Sequence, residues 1–452
     1  VSLPMTSVDG NNATDGGARW MYNVTLYPKN LTGIPTLEKT LRENQNDTGK
    51  NNGSNDITDG YAHTGTASAG DVIDYQIIST LPSITSAASY LTDYTFIDTL
   101  SKGITYNKGD VLLESFKDES CTDLVASWAE PSDRFLVSYN TTSDGASVMT
   151  ISMTASGLAE INSGRQVYVK SSMVNSGYSD CTLRITYKAT VNSDGSVTYG
   201  DAGNPNDVVL TWKRTNSAYY DTLVDDCHIY VYGIDMTKQF SDGRGDFSKV
   251  QFIVHNDTDN YYLVGKLNEA EGIWYVTDHV TEEKDATHFI PTKDDKLILK
   301  GLEDDTYTWT EVQTANGYTL LKNSIKVVIS QTESETLCAI YGTDILVLIQ
   351  NDPRYADVDP GLYHNMPQRH LEHKLLTASA TVDNNKVNME PDGNSANAFV
   401  PFTVINTRGF DLPQTGSYGN WMFPVAGLSM STLCVAGIVA LTRKNKKKAQ
   451  NT

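Results

Sequence analysis

Basic side chains are scarce in this chain: 35 Lys and Arg stand against 55 Asp and Glu, for a formal charge of -20. Five of the cations, Arg443, Lys444, Lys446, Lys447 and Lys448, are crowded near the C-terminus. Nucleic-acid binding, which wants basic surface, is excluded as a function. There is no nucleophile elbow, no phosphate loop and no paired-carboxylate context, so no enzyme class is nominated. Cysteine is sparse, at five residues, and none of the spacings is zinc-like. His370 and His373 share a helical spacing without the carboxylate of an H-E-x-x-H motif, and they read as surface histidines in a loop. Neither a metal nor a cofactor is expected. The N-terminus lacks a basic-then-apolar export pattern.

What is present is β-forming. Tyr occurs 25 times, and alternating Val/Ile/Thr-rich stretches recur along the chain, which favours β-sandwiches over helical architecture. A length of 452 residues calls for two or three domains. Val1 to Thr6 reads as a short strand with no hairpin partner nearby, and Trp20 to Leu26 as a second, stopped by Pro28. Residues 42–60 are polar and rich in Asn, Asp and Gly, the composition of a mobile loop. One cycle of strands follows: Asp71 to Ile78, Tyr94 to Asp98, Phe135 to Tyr139, Val148 to Met153, Gln166 to Lys170, Leu183 to Val191 and Val208 to Trp212. A second cycle opens near Cys227. Its strands are His228 to Tyr232, Lys249 to Val254, Trp274 to Thr277, Lys296 to Leu299, Thr306 to Glu311, Ile325 to Ile329, Ile345 to Gln350 and Phe399 to Asn406. Ala356 to Asn397 reads as an insertion or long loop.

The tail is specific in its order. Leu412, Pro413, Gln414, Thr415 and Gly416 precede an apolar run from about Trp421 to Leu441, and the basic cluster follows. A run of about 20 apolar residues is long enough to cross a bilayer as a helix, and the cations behind it hold that end in the cytoplasm. The three parts together resemble a sortase cell-wall sorting signal. The resemblance implies cleavage between Thr415 and Gly416, transfer of the Thr415 carbonyl to an amine, and only transient membrane anchoring. An exported protein needs a leader, so the natural start is expected upstream.

Trp20, Val24, Leu26, Tyr27, Pro28 and Lys29 carry a second resemblance, to the pilin motif of Gram-positive, sortase-assembled backbone pilins. Pro28 ends strand pairing and presents Lys29 at a domain edge. In that family the lysine amine attacks the acyl-enzyme formed on the next subunit, so Lys29 is implied to be the polymerising nucleophile. The opening strand resembles the last strand of an N-terminal domain that is missing here.

The family also makes intramolecular Lys–Asn amides. Tyr232 to Lys238 resembles the first strand of a collagen-adhesin B-type domain. Gly301, Thr306, Glu311 and Ala315 to Tyr318 resemble its glutamate box, and Val404 to Asn406 its last strand. The resemblance implies Lys238 as nucleophile, Asn406 as acceptor and Glu311 as proton shuttle. Burial lowers a Lys pKa and raises a Glu pKa, so both sit neutral together. In the middle domain Lys39 and Asp98 fit a second such centre. Arg214 stands about where the acceptor Asn is expected. Asn216 lies two residues on and shares a strand face with it, so a shifted register supplies the bond or the domain lacks it.

Cys121, Cys181, Cys227 and Cys338 remain outside the tail and allow three pairings. Keeping pairs within domains gives Cys121–Cys181 and Cys227–Cys338, with free thiols the alternative; Cys434 belongs to the tail. Arg244, Gly245 and Asp246 form a three-residue match to an adhesion motif, which is weak evidence alone. The expected architecture is all-β: tandem immunoglobulin-like, collagen-adhesin-type sandwiches followed by a transmembrane sorting helix. Residues 1–30 hold the final strand of the missing domain and the pilin motif. Residues 31–222 form the middle domain, 223–411 the B-type domain and 412–452 the sorting signal. The implied partners are a sortase, identical subunits, minor or tip pilins, peptidoglycan and host surface receptors. The alternative is a wall-anchored adhesin that does not polymerise.

Overall fold

The structure is a computed structural model and describes residues 6–7, 19–20, 34–43, 60–82, 84, 89–163, 166–169, 172–175, 181–292, 295–339, 349, 359–365, 372–409 and 443. Its strands follow from two-residue alternation. In Val72–Thr80, Ile73, Tyr75, Ile77 and Ser79 are fully buried. In Thr182–Val191, Leu183, Ile185, Tyr187 and Ala189 turn inward while Arg184 and Lys188 turn out. Side chains at i and i+2 share a face, so each strand delivers one apolar stripe.

Two sheets form the first sandwich. One runs in the order Glu38–Glu43, Val72–Thr80, Thr182–Val191, Leu112–Phe116, Leu124–Ala129, with Ile104–Tyr106 also paired to Thr182–Val191. The other runs Phe135–Thr141, Ser147–Met153, Leu91–Leu100, Asn204–Arg214, Tyr220–Tyr230, Tyr363–Asn365, with Thr64–Thr66 also on Tyr220–Tyr230. Their inner faces share a core that includes Tyr75, Tyr94, Phe96, Leu113, Tyr187 and Trp212. A helix, Ala155–Ser163, closes one end and buries Ile161.

The second unit is a single path of eleven strands around its own core, which includes Ile234, Met236, Phe252, Leu299, Trp309, Val327 and Val400. Tyr232–Phe240 pairs in parallel with Ser395–Asn406, placing Lys238 opposite Val404 and Phe240 opposite Asn406. The Gly200–Gly203 turn of the first unit docks here: Asp201 accepts from the Ala378 backbone N–H at 2.9 Å and from Asn397 Nδ2 at 2.8 Å.

Several expectations change. The described part of Ala356 to Asn397 is not a loop: Glu372–Val382 pairs with Ile325–Ala339 and buries Leu376, Ala378 and Ala380. Two of these three are alanines, which gave little apolar signal. The segment expected as one strand from His228 to Tyr232 divides at Val231, between strands that end at Tyr230 and begin at Tyr232. Ile349, the described residue of the 345–350 segment, is helical rather than extended. Thr6–Ser7 does have a partner, Arg19–Trp20. Among the described residues no helix is long and apolar enough to cross a membrane; the 421–441 run lies outside them.

Candidate functional site

Among the described residues each unit buries one lysine on its apolar stripe. In the first, Lys39 and Leu41 are the inward residues of Glu38–Glu43, and both are fully buried. Asp98 and Asn206 come from the opposite sheet. The register sets Asn206 against Leu100 and Val208 against Asp98, so the two polar groups are near neighbours on one inner face. Lys39 Nζ contacts the Asp98 carboxylate and the Tyr187 hydroxyl. Tyr187 Oη donates to Asp98 Oδ1 at 2.8 Å and accepts from Asn206 Nδ2 at 2.8 Å. Tyr106 Oη adds a second donor to Asp98 Oδ1 at 2.6 Å. Asn206 Oδ1 is buried without a hydrogen-bond partner. Burial, first, and the nearby Asp98 charge hold the Tyr106 and Tyr187 phenols well above their ordinary pKa.

Asn206, not the expected Asn216, is the asparagine that shares this cluster. Asn216 is exposed in the turn beyond Asn204–Arg214, whose pairing shifts register at Lys213/Arg214, so it does not continue the inward face. Asn206 follows Asn204 on the inward stripe Asn204, Asn206, Val208, Leu210, Trp212, and it is fully buried. That stripe was visible in the sequence, as two asparagines in step with three apolar residues.

In the second unit Lys238 follows Ile234 and Met236 on the inward face and is fully buried. Its Nζ donates to the Gln239 carbonyl at 2.9 Å and the Val404 carbonyl at 3.5 Å, and lies 4.5 Å from the Phe240 ring centre. Burial lowers its pKa to about 8 against an opposing pull from Glu311. Glu311 Oε2 accepts from Asn406 Nδ2 at 2.8 Å and from the Leu321 backbone N–H at 2.8 Å. Asn406 Nδ2 also reaches the Thr319 carbonyl at 2.7 Å. Glu311 Oε1 and Asn406 Oδ1 are both buried and unpartnered. Lys238, Glu311 and Asn406 are thus gathered at one end of the sandwich.

The thiols do not pair as expected. Cys121, Cys181 and Cys227 are free. Cys181 Sγ is engaged with Ser115 Oγ at 2.8 Å, and burial pushes its pKa to about 11. Cys121 sits in a left-handed turn, φ 54°, with its Sγ toward the Glu119 carbonyl. Cys227 is free, with its Sγ against the Asn206 carbonyl, and the side chain of Cys338 lies outside the described residues.

His373 is not on the surface. It is 6% exposed, stacks on His63 with ring centres 3.6 Å apart, and bonds Asp225 at 2.7 Å. The Lys39 backbone N–H donates to the other Asp225 oxygen at 2.6 Å. Asp246 of the Arg244-Gly245-Asp246 loop caps its own turn, accepting from the Ser248 N–H at 3.0 Å. His370, Lys29, and Leu412, Pro413, Gln414, Thr415 and Gly416 lie outside the described residues.

No protein-family model matches the chain. The trypsin-resistant surface T6 protein of Streptococcus pyogenes serotype M6 is 23% identical over 457 residues, spanning 96% of this chain and 74% of that protein. Among solved structures, the T6 backbone pilin of serotype M6 S. pyogenes has 15% identity and a TM-score of 0.44, covering 83% of this chain and 70% of that one. The group B streptococcus pilus 2b backbone protein has 17% identity and a TM-score of 0.45, covering 77% and 97%. The major pilin SpaD of Corynebacterium diphtheriae has 15% identity and a TM-score of 0.44, covering 90% and 74%.

Proposed function

We propose that this chain, a relative of Gram-positive backbone pilins, is the structural backbone subunit of a covalently polymerised cell-surface pilus. Each subunit offers Lys29 to a sortase acyl-enzyme carrying Thr415 of the next, and the fibre is a chain of amide bonds. The observation that carries the reading is the pair of enclosed centres, Lys39/Asp98/Asn206 and Lys238/Glu311/Asn406, each within a sandwich that lies between the two assembly motifs.

Both centres have the parts for a self-made amide. The neutral lysine nitrogen bonds to the Asn Cγ, the Cγ–Nδ2 bond breaks and ammonia leaves. The pKa of about 8 for Lys238 gives a substantial neutral fraction near pH 7, where an exposed lysine has almost none. Glu311 Oε2 already holds the Asn406 nitrogen that would leave, and Glu311 Oε1 and Asn406 Oδ1 stand unpartnered beside it. Each orphaned acceptor costs about 1–3 kcal/mol. The Lys238–Asn406 bond joins Tyr232–Phe240 to Ser395–Asn406, neighbouring parallel strands that come from the start and the end of the unit's sequence. The Lys39–Asn206 bond joins facing sheets. Tension entering at either end then passes through covalent bonds instead of unzipping hydrogen-bonded strands.

Lys29→Arg tests the assembly step. Denaturing gels of wall extracts lose their high-mass ladder in that variant if Lys29 is the acceptor, and keep it if the assignment is wrong. A wild type that shows monomer alone favours the singly anchored adhesin.

A further inference from the structure

The two centres differ in how the acid reaches the leaving nitrogen. Glu311 Oε2 touches Asn406 Nδ2 directly at 2.8 Å. Asp98 is one methylene shorter, and among the described residues it makes no hydrogen bond to Asn206. The Tyr187 hydroxyl lies between them, 2.8 Å from Asp98 Oδ1, 2.8 Å from Asn206 Nδ2 and in contact with Lys39 Nζ. Its single proton goes to Asp98 and its two lone pairs accept from Asn206 and Lys39, so its bonding capacity is filled. Tyr106 also binds Asp98 Oδ1, yet it bonds neither Lys39 nor Asn206.

We propose that Tyr187 is a catalytic residue of the Lys39–Asn206 condensation, relaying a proton from Asp98 to the departing Asn206 nitrogen. The inference rests on the amide reading of this centre. Asp98 first takes a proton from the Lys39 ammonium, leaving a neutral amine. As Lys39 Nζ bonds to Asn206 Cγ, Tyr187 gives its hydroxyl proton to Nδ2 and takes one from Asp98. Asp98 in turn accepts the proton shed by the new amide nitrogen. The Cγ–Nδ2 bond breaks and ammonia departs, with Tyr187 neutral and Asp98 protonated at the end. A phenol with its pKa raised by burial suits a relay that never rests as the anion. Tyr187 thus supplies the reach that a glutamate has by itself.

The test is the rate of the loss of about 17 Da that accompanies amide formation, followed after pulsed cell-free synthesis of the full chain. Peptide mapping assigns the loss to the Lys39–Asn206 pair. Tyr187→Phe is expected to slow closure by roughly a hundredfold or more, the usual scale of general acid–base help, while Tyr106→Phe closes within a few-fold of wild type. Closure of Tyr187→Phe at the wild-type rate overturns the relay. A wild type in which Lys39 and Asn206 stay unlinked overturns the amide reading itself. If Tyr187→Phe does not fold, difluorotyrosine at position 187 keeps the shape and makes the phenol more acidic. A changed rate constant then supports the relay, and an unchanged one rejects it.

Discussion

Lys39 and Asp98, carried by opposite sheets of the first sandwich, meet as an amine–carboxylate pair with no solvent exposure on either side chain. Taking two charges out of water costs several kcal/mol per ion, and their attraction repays it only with further hydrogen bonds. Tyr187 and Tyr106 supply those bonds. The proposed Lys39–Asn206 amide takes the lysine's charge out of this buried pair. Intact mass then reports the outcome: the wild type falls short of its sequence mass by two ammonias, about 34 Da, one for each amide formed. Asp98→Ala and Glu311→Ala each restore about 17 Da, and the double variant restores both. A wild type at its full sequence mass contradicts the proposal.

The acceptor assignment separates Asn206 from Asn216. Asn206→Ala leaves the Lys39–Asp98 pair intact but gives it nothing to attack. By analogy with disulfides, losing a link across a loop of this length costs about 4–5 kcal/mol, or roughly 10–20 °C in Tm for a unit of this size. Asn216→Ala, in an exposed turn, leaves Tm within about 2 °C. Calorimetry with peptide mapping checks both, and an Asn216→Ala protein lacking the link would reverse the assignment.

Closure at the second centre depends on pH. The Lys238 amine reacts when neutral, and with its pKa lowered to about 8 by burial its neutral fraction rises as pH increases from 7 to 9. The rate of Lys238–Asn406 formation should climb by roughly tenfold over that range. A linked stability effect follows in the unlinked Asn406→Ala protein. Between pH 8 and the ordinary lysine value, the unfolded chain binds more protons at position 238 than the folded one. Lys238 therefore adds stability as pH rises through that window and withdraws it as pH falls. The comparison is with Lys238→Met in the same background, and a pH-independent difference between the two counts against a depressed pKa.

Thiol chemistry gives a plain check on the corrected cysteines. Reductant leaves the melting temperature unchanged. Alkylation of the unfolded chain without prior reduction labels Cys121, Cys181 and Cys227, because all three are free. Labelling that requires reduction restores the expected pairings.

Much of this was legible because two-residue alternation is strong where both faces of a strand differ. Lysines at inward positions, Lys39 before Leu41 and Lys238 after Met236, broke the apolar stripe visibly. Lys238, Glu311 and Asn406 were nominated by a family resemblance; the parallel pairing of Tyr232–Phe240 with Ser395–Asn406 brings Lys238 and Asn406 to one end of the unit. Asn206 was not legible because the resemblance points to the strand's outer end near Arg214 and Asn216, where the register slips at Lys213/Arg214. Tyr187 was not legible at all. One tyrosine among 25 looks like core packing until the facing sheet brings Asp98 and Asn206 to its hydroxyl. Glu372–Val382 was hidden for a different reason, since alanines such as Ala378 and Ala380 bury well yet carry little hydrophobic contrast.

Tandem mass spectrometry of wall-extracted fibres tests the central claim most directly. The account predicts a ladder that survives boiling detergent and a branched peptide in which the Thr415 carbonyl is bonded to the Lys29 side-chain nitrogen. Extracts that fall apart into single protomers in hot detergent, with Lys29 recovered as an unmodified residue, contradict it.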